Sequence, residues 1–231
     1  MASMHAIYLH GFGSGPQTAK GTALGRRLAG AVRSYAIPDL EGGDFFSLTM
    51  ERIFDRAAAA VAAAPGGDEP VLVIGSSLGG YTAAMLAAER RLPRAAALLL
   101  IAPAFGFGKR WGERLGADAV AAWGQTGSRP FFHHASGKEQ PLGAGFLTSC
   151  ERLPAFPTPP AIPVTIIHGR GDDTVDWRMS RNYVDQSEQN GVIEFHLIDG
   201  DHRLMELRHE ELISWCAKDL IVRCYGARPS R

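Results

Sequence analysis

The stretch VLVIGSSLGG, residues 71–80, decides the fold that is predicted for this chain. Its first four residues are apolar, which is typical of a strand buried on both faces of a parallel sheet. Gly75, Ser77 and Gly79 follow with the spacing G-x-S-x-G. Small residues beside a serine permit a tight turn from strand to helix, with the serine side chain above the sheet. We therefore predict a strand, a sharp turn and a helix, with Ser77 as a nucleophile and Ser76 as a spacer.

Short apolar runs alternate with longer helical segments on both sides of this stretch. Strands are predicted at residues 6–10, 34–37, 71–74, 95–101, 162–168 and 193–198. Helices are predicted at residues 19–31, 48–64, 78–91, 177–190 and 204–224. Apolar parallel strands must be covered on both faces. The predicted fold class is therefore α/β, with a mostly parallel sheet of about six strands and helices on both faces, in a single domain over residues 1–231.

Residues 105–160 interrupt this alternation. The segment is rich in glycine, proline and aromatic residues and has little periodicity, so an irregular structure is expected. Long connections inside a domain are usually functional or mobile. Two interpretations stay open, a cap or lid over an active site and a long irregular connection. Trp111, Trp123, Phe131 and Phe132 are expected either to line an apolar pocket or to pack inside the cap.

Composition and charge narrow the possible partners. Lys+Arg and Asp+Glu both number 24, so no attraction to nucleic acid or to an anionic membrane is predicted. The three cysteines form neither a disulfide framework nor a metal-ligand pattern. The first residues lack the pattern of a signal peptide, and no apolar run approaches the roughly 20 residues that span a bilayer. A cytoplasmic protein without a membrane segment is expected.

A serine hydroxyl needs a base to take its proton, and a histidine in a late loop is the candidate. His202 follows the last predicted strand, which suits the chain order serine, acid, histidine. The acid that orients the imidazole should lie in the loop after the preceding strand. Asp172 and Asp173 both stand there, and by chemistry alone either could fill the role.

Backbone N–H groups are expected to bind the oxyanion that forms during acyl transfer. One donor is the residue after the nucleophile, Leu78, and the other comes from the loop after the first strand, for which Phe12 is chosen. His10, in the same loop, is expected to be structural. The pair His133 and His134 is expected to lie at the surface.

The N-terminal glycines do not indicate a nucleotide site. The G-x-G of residues 11–13 leads to Pro16 in place of the third glycine of a dinucleotide fingerprint, and Lys20-Gly21-Thr22 does not have the P-loop order. No cofactor and no metal ion are therefore predicted.

Two motifs together resemble a known family. YLHGFGSGPQTAK at residues 8–20, followed by GSSLGGY at residues 75–81, is similar to the small bacterial YqiA-like esterases of the α/β-hydrolase superfamily. The resemblance extends from residue 8 to residue 202. It implies an α/β-hydrolase fold and a serine esterase activity. In such proteins the acid is the Asp of a G-x-x-D-x-x-V pattern, and residues 169–175 match it with Asp172.

The expected reaction is hydrolysis of a small-molecule carboxylic ester through an acyl-enzyme. Ser77 would attack the carbonyl carbon, His202 would take the proton, and Asp172 would hold the imidazole. A thioesterase and a cofactor-free perhydrolase would use the same three residues. A non-catalytic binding protein of the same fold is the remaining alternative, because fold does not fix function. The natural ester and the oligomeric state stay open.

Overall fold

The computed structural model describes residues 4–186 and 193–226, in which eight strands and eight helices are found. The strands are β1 (His5–Leu9), β2 (Ser34–Ala36), β3 (Val71–Ser76), β4 (Ala95–Ile101), β5 (Ser128–His133), β6 (Lys138–Gly143), β7 (Val164–Gly169) and β8 (Ile193–Ile198). The helices are α1 (Ala19–Arg27), α2 (Met50–Ala62), α3 (Leu78–Ala88), α4 (Phe107–Leu115), α5 (Ala117–Thr126), α6 (Ala144–Glu151), α7 (Trp177–Asp185) and α8 (Leu207–Gly226).

Six strands form one sheet in the order β2-β1-β3-β4-β7-β8, and every neighbouring pair is parallel. The chain leaves β1 for β2 on one side and returns to β3 on the other, so the order reverses between β1 and β3. Loops that leave the carboxyl ends of two such strands border the crevice where ligands bind in α/β sheets. Leu9 pairs with Gly75, so the loop after β1 lies beside the turn after β3.

Side chains alternate along each strand, so the six-stranded sheet has a core on each of its two faces. Val71 and Val73 of β3 point into a core shared with α2 and α3. Leu72 and Ile74 point into a second core shared with α1 and α8. This arrangement explains why β3 has no polar alternation, and it confirms the predicted α/β class with helices on both faces.

The expectation of an irregular segment at residues 105–160 was wrong. Three helices, α4 to α6, and the antiparallel hairpin β5–β6 account for most of it. Each element has only 6 to 10 residues. Gly116 and Gly127, with φ angles of 82° and 78°, separate α4 from α5 and α5 from β5. Elements this short, divided by glycines, hold too few periods to be recognised in the sequence.

Several predicted ends differ from those observed. Helix α1 ends at Arg27, whereas the prediction ran to residue 31. The helix predicted from residue 204 begins at Leu207, and Leu204 adopts a positive φ of 46°, which a helix does not allow. Residues 187–190 of the helix predicted at residues 177–190 lie outside the described residues. Across residues 4–186 and 193–226, none of the helices has the length and apolar content that crossing a membrane requires.

Candidate active site

The turn after β3 places Ser77 in a strained backbone conformation. Its φ and ψ angles are 53° and −118°, a combination that non-glycine residues rarely adopt. Glycines on either side make the turn possible. A Cβ atom at Gly75 would overlap the carbonyl oxygen of Gly79, and one at Gly79 would overlap the carbonyl oxygen of Leu9. The sharp turn predicted from G-x-S-x-G is therefore present, with Ser77 at its apex and α3 beginning one residue later.

Three residues predicted for the site form a continuous hydrogen-bonded line. Ser77 Oγ lies 3.1 Å from Nε2 of His202, and Nδ1 of the same ring lies 2.7 Å from Oδ2 of Asp172. In this arrangement the imidazole donates to the carboxylate and accepts from the serine hydroxyl. Asp173 is exposed, and its carboxylate accepts from the hydroxyl of Thr174 at 3.2 Å. Of the two adjacent carboxylates, Asp172 is the one that contacts His202.

The Asp172 carboxylate is inaccessible to solvent and fully hydrogen-bonded. Oδ1 accepts the backbone N–H groups of Thr174 at 2.9 Å and Val175 at 2.7 Å, while Oδ2 faces His168 and His202. Burial raises the pKa of Asp172, but the hydrogen bonds outweigh burial and hold the pKa well below its ordinary value. The carboxylate is therefore ionised at neutral pH and can stabilise an imidazolium at His202.

Sequence reasoning missed the second histidine at this carboxylate. His168 Nε2 lies 3.0 Å from Asp172 Oδ2 and 3.0 Å from the carbonyl oxygen of Val175, so it donates to both acceptors. Ser180 Oγ lies 2.8 Å from Nδ1 and donates to it. The ring is completely buried. Its signal in the sequence was the position of His168 at the end of β7, four residues before Asp172.

The backbone groups chosen as oxyanion donors lie on the loop after β1 and at the start of α3, and both are next to Ser77. A methyl group at Gly11 would lie 3.4 Å from Ser77 Cβ and 3.9 Å from Oγ, so the loop that carries Phe12 passes beside Ser77. Leu78 is the first residue of α3, where a helix has no carbonyl to accept its N–H. The backbone hydrogen bonds found within residues 4–186 and 193–226 include none donated by Phe12 or Leu78.

His10 holds the β1 loop in place. Its Nδ1 atom donates to the carbonyl oxygen of Gly11 at 3.0 Å, and Nε2 accepts the N–H of Leu40 at 3.1 Å. The ring is buried, and burial lowers its pKa, so it is neutral. Both ring nitrogens are occupied by backbone groups, which matches the structural role expected for His10.

Lys20 is a second feature that the sequence did not reveal. Its ammonium donates to Oγ of Ser76, the residue before Ser77, at 3.2 Å. Burial lowers the pKa of Lys20 to about 8, although the nearby carboxylate of Asp201 partly opposes the shift. Ser76, which was predicted to be a spacer, therefore accepts a hydrogen bond from a lysine that lines the site.

A cavity of about 990 Å³ opens above Ser77 and His202. Its apolar lining includes Phe12, Phe107, Trp111, Leu115, Phe131 and Phe132. Its charged lining comprises Lys20, Arg110, Arg114, Arg203, Asp173 and Asp201. Five of these six apolar side chains come from α4 and β5. Part of the segment at residues 105–160 therefore lines the same cavity as Ser77.

The four aromatic residues left undecided by the sequence divide into two groups. Trp111, Phe131 and Phe132 line the cavity. Trp123 is buried and does not line the cavity. Its ring centroid lies 5.6 Å from that of Trp111 and 5.0 Å from that of Phe131, and its indole N–H donates to the carbonyl oxygen of Leu142. Trp123 therefore supports the cavity wall from behind.

The expectation of a surface histidine pair was wrong for His133. His134 is exposed, but His133 is buried and its Nε2 atom lies 2.6 Å from Oε2 of Glu41. Its ring also packs against Phe45, with centroids 4.9 Å apart. The hairpin strand β5 alternates, so consecutive residues point in opposite directions. This hydrogen bond ties the hairpin to the connection between β2 and α2.

The sheet order and the serine at the turn after β3 together define the α/β-hydrolase fold. A model of the uncharacterised protein family UPF0227 matches residues 5–214, and the chain belongs to that family. Both results confirm the resemblance found in the sequence. No curated protein matches the chain.

Solved structures with the same fold come from several sources. A putative hydrolase from Agrobacterium vitis S4 is 21% identical, with a TM-score of 0.79 over 95% of this chain and 88% of its own. Mouse alpha/beta hydrolase domain-containing protein 10 is 21% identical, with a TM-score of 0.75 over 95% and 90%. Est1E from Butyrivibrio proteoclasticus is 18% identical, with a TM-score of 0.75 over 97% and 89%. At these identities the likeness concerns the fold.

Proposed function

We propose that this protein is a serine hydrolase that cleaves carboxylic esters through an acyl-enzyme on Ser77. The observation that carries the proposal is the unbroken line of hydrogen bonds from Asp172 through His202 to Ser77, with separations of 2.7 and 3.1 Å. Both separations fall within the range expected for a nucleophile, its base and the group that orients the base. An intact contact between Ser77 and His202 favours catalysis over a non-catalytic binding role.

The proposed reaction has two halves. Ser77 Oγ attacks the carbonyl carbon while His202 Nε2 takes the hydroxyl proton, and the N–H groups of Phe12 and Leu78 bind the negatively charged oxygen. As the tetrahedral intermediate collapses, the bond to the alcohol breaks and His202 gives its proton to the leaving oxygen. Water then attacks the acyl group, with His202 again as base, and releases the acid and free Ser77. Asp172, ionised and buried, stabilises the imidazolium in both halves.

The cavity suits an ester with an apolar body. Aromatic side chains occupy most of the apolar lining, and burial of each substrate methylene contributes roughly 0.8 kcal/mol. Among the proteins of the same fold, Est1E has been solved with ferulic acid bound. An acid with an aromatic body is thus one class of acyl group to include in a screen. We also propose that α4 and the hairpin β5–β6 act as the cap of this site.

Covalent labelling tests the proposal directly. The protein should react with a fluorophosphonate, and mass spectrometry of the labelled peptide should place the adduct on Ser77. Ser76→Ala is the matched control, because it removes the neighbouring hydroxyl and leaves the nucleophile. Ser77→Ala should fold normally and lose hydrolysis of para-nitrophenyl esters by several orders of magnitude. An adduct on Ser76, or an active preparation without any adduct, would refute the assignment.

A further inference from the structure

Helix α4 presents a mixed apolar and cationic stripe to the cavity. Its cavity-lining residues are Phe107, Arg110, Trp111, Arg114 and Leu115. They are spaced i, i+3, i+4, i+7 and i+8, so they lie on one face of the helix. Two guanidinium groups therefore stand on the same face as three apolar side chains.

The two arginines have no partner that accounts for their position. Across residues 4–186 and 193–226, Arg110 and Arg114 make neither an ion pair nor a side-chain hydrogen bond. Their spacing of i, i+4 places like charges on neighbouring positions of one helix face, which destabilises a helix. Arg110 is half-buried and Arg114 is exposed, so the guanidinium groups are open to a ligand in the cavity.

The rest of the cavity does not neutralise them. Its lining contains two carboxylates, Asp173 and Asp201, against four groups of the lysine and arginine type. Asp201 is already engaged, because it accepts the backbone N–H groups of Arg203 and Leu204 at 3.0 and 2.9 Å. The lining of the cavity thus combines aromatic side chains with an excess of positive charge, although the formal net charge of the whole chain is zero.

We propose that the substrate is an ester that carries a carboxylate or another anionic group away from the scissile bond. Arg110 and Arg114 would bind that group, while Phe107 and Trp111 contact the apolar part of the molecule. A guanidinium suits this task because its fork of N–H donors matches the two oxygens of a carboxylate. The inference rests on the proposed function and specifies the substrate class of the same site.

Matched ester pairs test the inference. In one arm, para-nitrophenyl suberate with a free distal carboxylate is compared with its methyl ester, so that the pair differs in a charge on the acyl side. In the other arm, meta-(octanoyloxy)benzoate is compared with its methyl ester, so that the charge lies on the alcohol side. The measured quantity is the ratio of kcat/KM for the anionic member to kcat/KM for the neutral member.

We expect the wild-type enzyme to prefer the anionic member in at least one arm. In that arm the double variant Arg110→Gln, Arg114→Gln should lower the ratio about tenfold or more, mainly through KM, because it removes charge-assisted hydrogen bonds. Lys109→Gln is the control. Lys109 is an exposed cation on the same helix that does not line the cavity, so its replacement should leave the ratio unchanged.

Two results would overturn the inference: a preference for the neutral member in both arms, or a double variant that slows both members equally. Binding separates this failure from a failure of the proposed function. If the wild-type enzyme hydrolyses no ester, titration of Ser77→Ala with both members of each ester pair still measures selectivity for the anionic group. The anionic member of at least one pair should then bind more tightly, and the arginine substitutions should abolish the difference. Equal affinities within both pairs would contradict the inference independently of catalysis.

Discussion

His168 and His202 share one oxygen atom of Asp172. Oδ2 lies 2.7 Å from Nδ1 of His202 and 3.0 Å from Nε2 of His168. The buried ring of His168 is held in turn by Ser180, so it fixes the carboxylate that contacts His202. We expect His168 to be a positioning residue, which acts through Asp172.

Replacement of His168 should lower turnover without weakening substrate binding. In His168→Leu the carboxylate loses one donor, and we expect kcat to fall on the order of tenfold with KM unchanged, since small losses of orientation are costly in catalysis. His168→Gln keeps an N–H donor near the position of Nε2 and should recover part of kcat. Melting temperatures check that both variants fold. A His168→Leu enzyme with normal kcat would reduce the role of this histidine to packing.

The two adjacent carboxylates should differ sharply in importance. Asp172→Asn keeps the size of the side chain but removes the charge that stabilises the imidazolium, and turnover should fall on the order of 10⁴-fold, as for the acid of other triads. Asp173→Asn is the matched control and should change kcat little, because Asp173 is exposed and does not contact His202. Steady-state kinetics on one ester decides. A greater loss in Asp173→Asn would show that Asp173, and not Asp172, is the acid.

Replacement of Phe107 should change substrate specificity, whereas replacement of Trp123 should change stability. Phe107 lines the cavity, so Phe107→Ala should shift the preference among esters of graded acyl length, with each methylene contributing roughly 0.8 kcal/mol or about fourfold in kcat/KM. Trp123 lies buried behind the lining, so Trp123→Ala should lower the melting temperature. Kinetics on a homologous ester series gives the comparison. Equal losses at every length in Phe107→Ala, with a lower melting temperature, would contradict a specificity role.

Lys20 should make stability depend on pH. Its pKa is about 8 in the folded protein, against an ordinary value of 10.5, so between these values the unfolded chain binds more protons. The destabilisation caused by the buried charge is therefore complete below pH 8 and disappears as the pH rises toward 10.5. Lys20→Met should raise the melting temperature at pH 7, and this gain should shrink across that window. Lys109→Met, at an exposed position, is the control. A gain that does not change with pH would contradict a lowered pKa.

Local chemistry made the centre of the site predictable. The glycines around Ser77 are required by close backbone contacts, so the sequence motif and the turn correspond directly. The order of serine, acid and histidine along the chain follows from the order of the strands in this fold. Asp172 and His202 could therefore be placed near Ser77, although 30 positions separate them from each other and 125 separate His202 from Ser77.

Features that depend on contacts between distant segments were not predictable. His133 was expected at the surface because the sequence does not show that Glu41, 92 positions away, faces it in the interior. The sequence likewise does not show that Lys20 donates to Ser76, 56 positions away. Helices α4 and α5 were missed because glycines cut them to nine and ten residues.

The backbone at Ser77 also limits which nucleophiles this scaffold could acquire by a single substitution. A residue with φ of 53° at the apex tolerates an unbranched side chain, whereas a second heavy atom on Cβ would crowd the turn. Cysteine would fit and would convert the enzyme to thiol chemistry. Threonine, which keeps the hydroxyl, would not fit. At Ser77 the substitution that preserves the shape of the side chain, serine to cysteine, is therefore the one that replaces the reacting oxygen with sulfur.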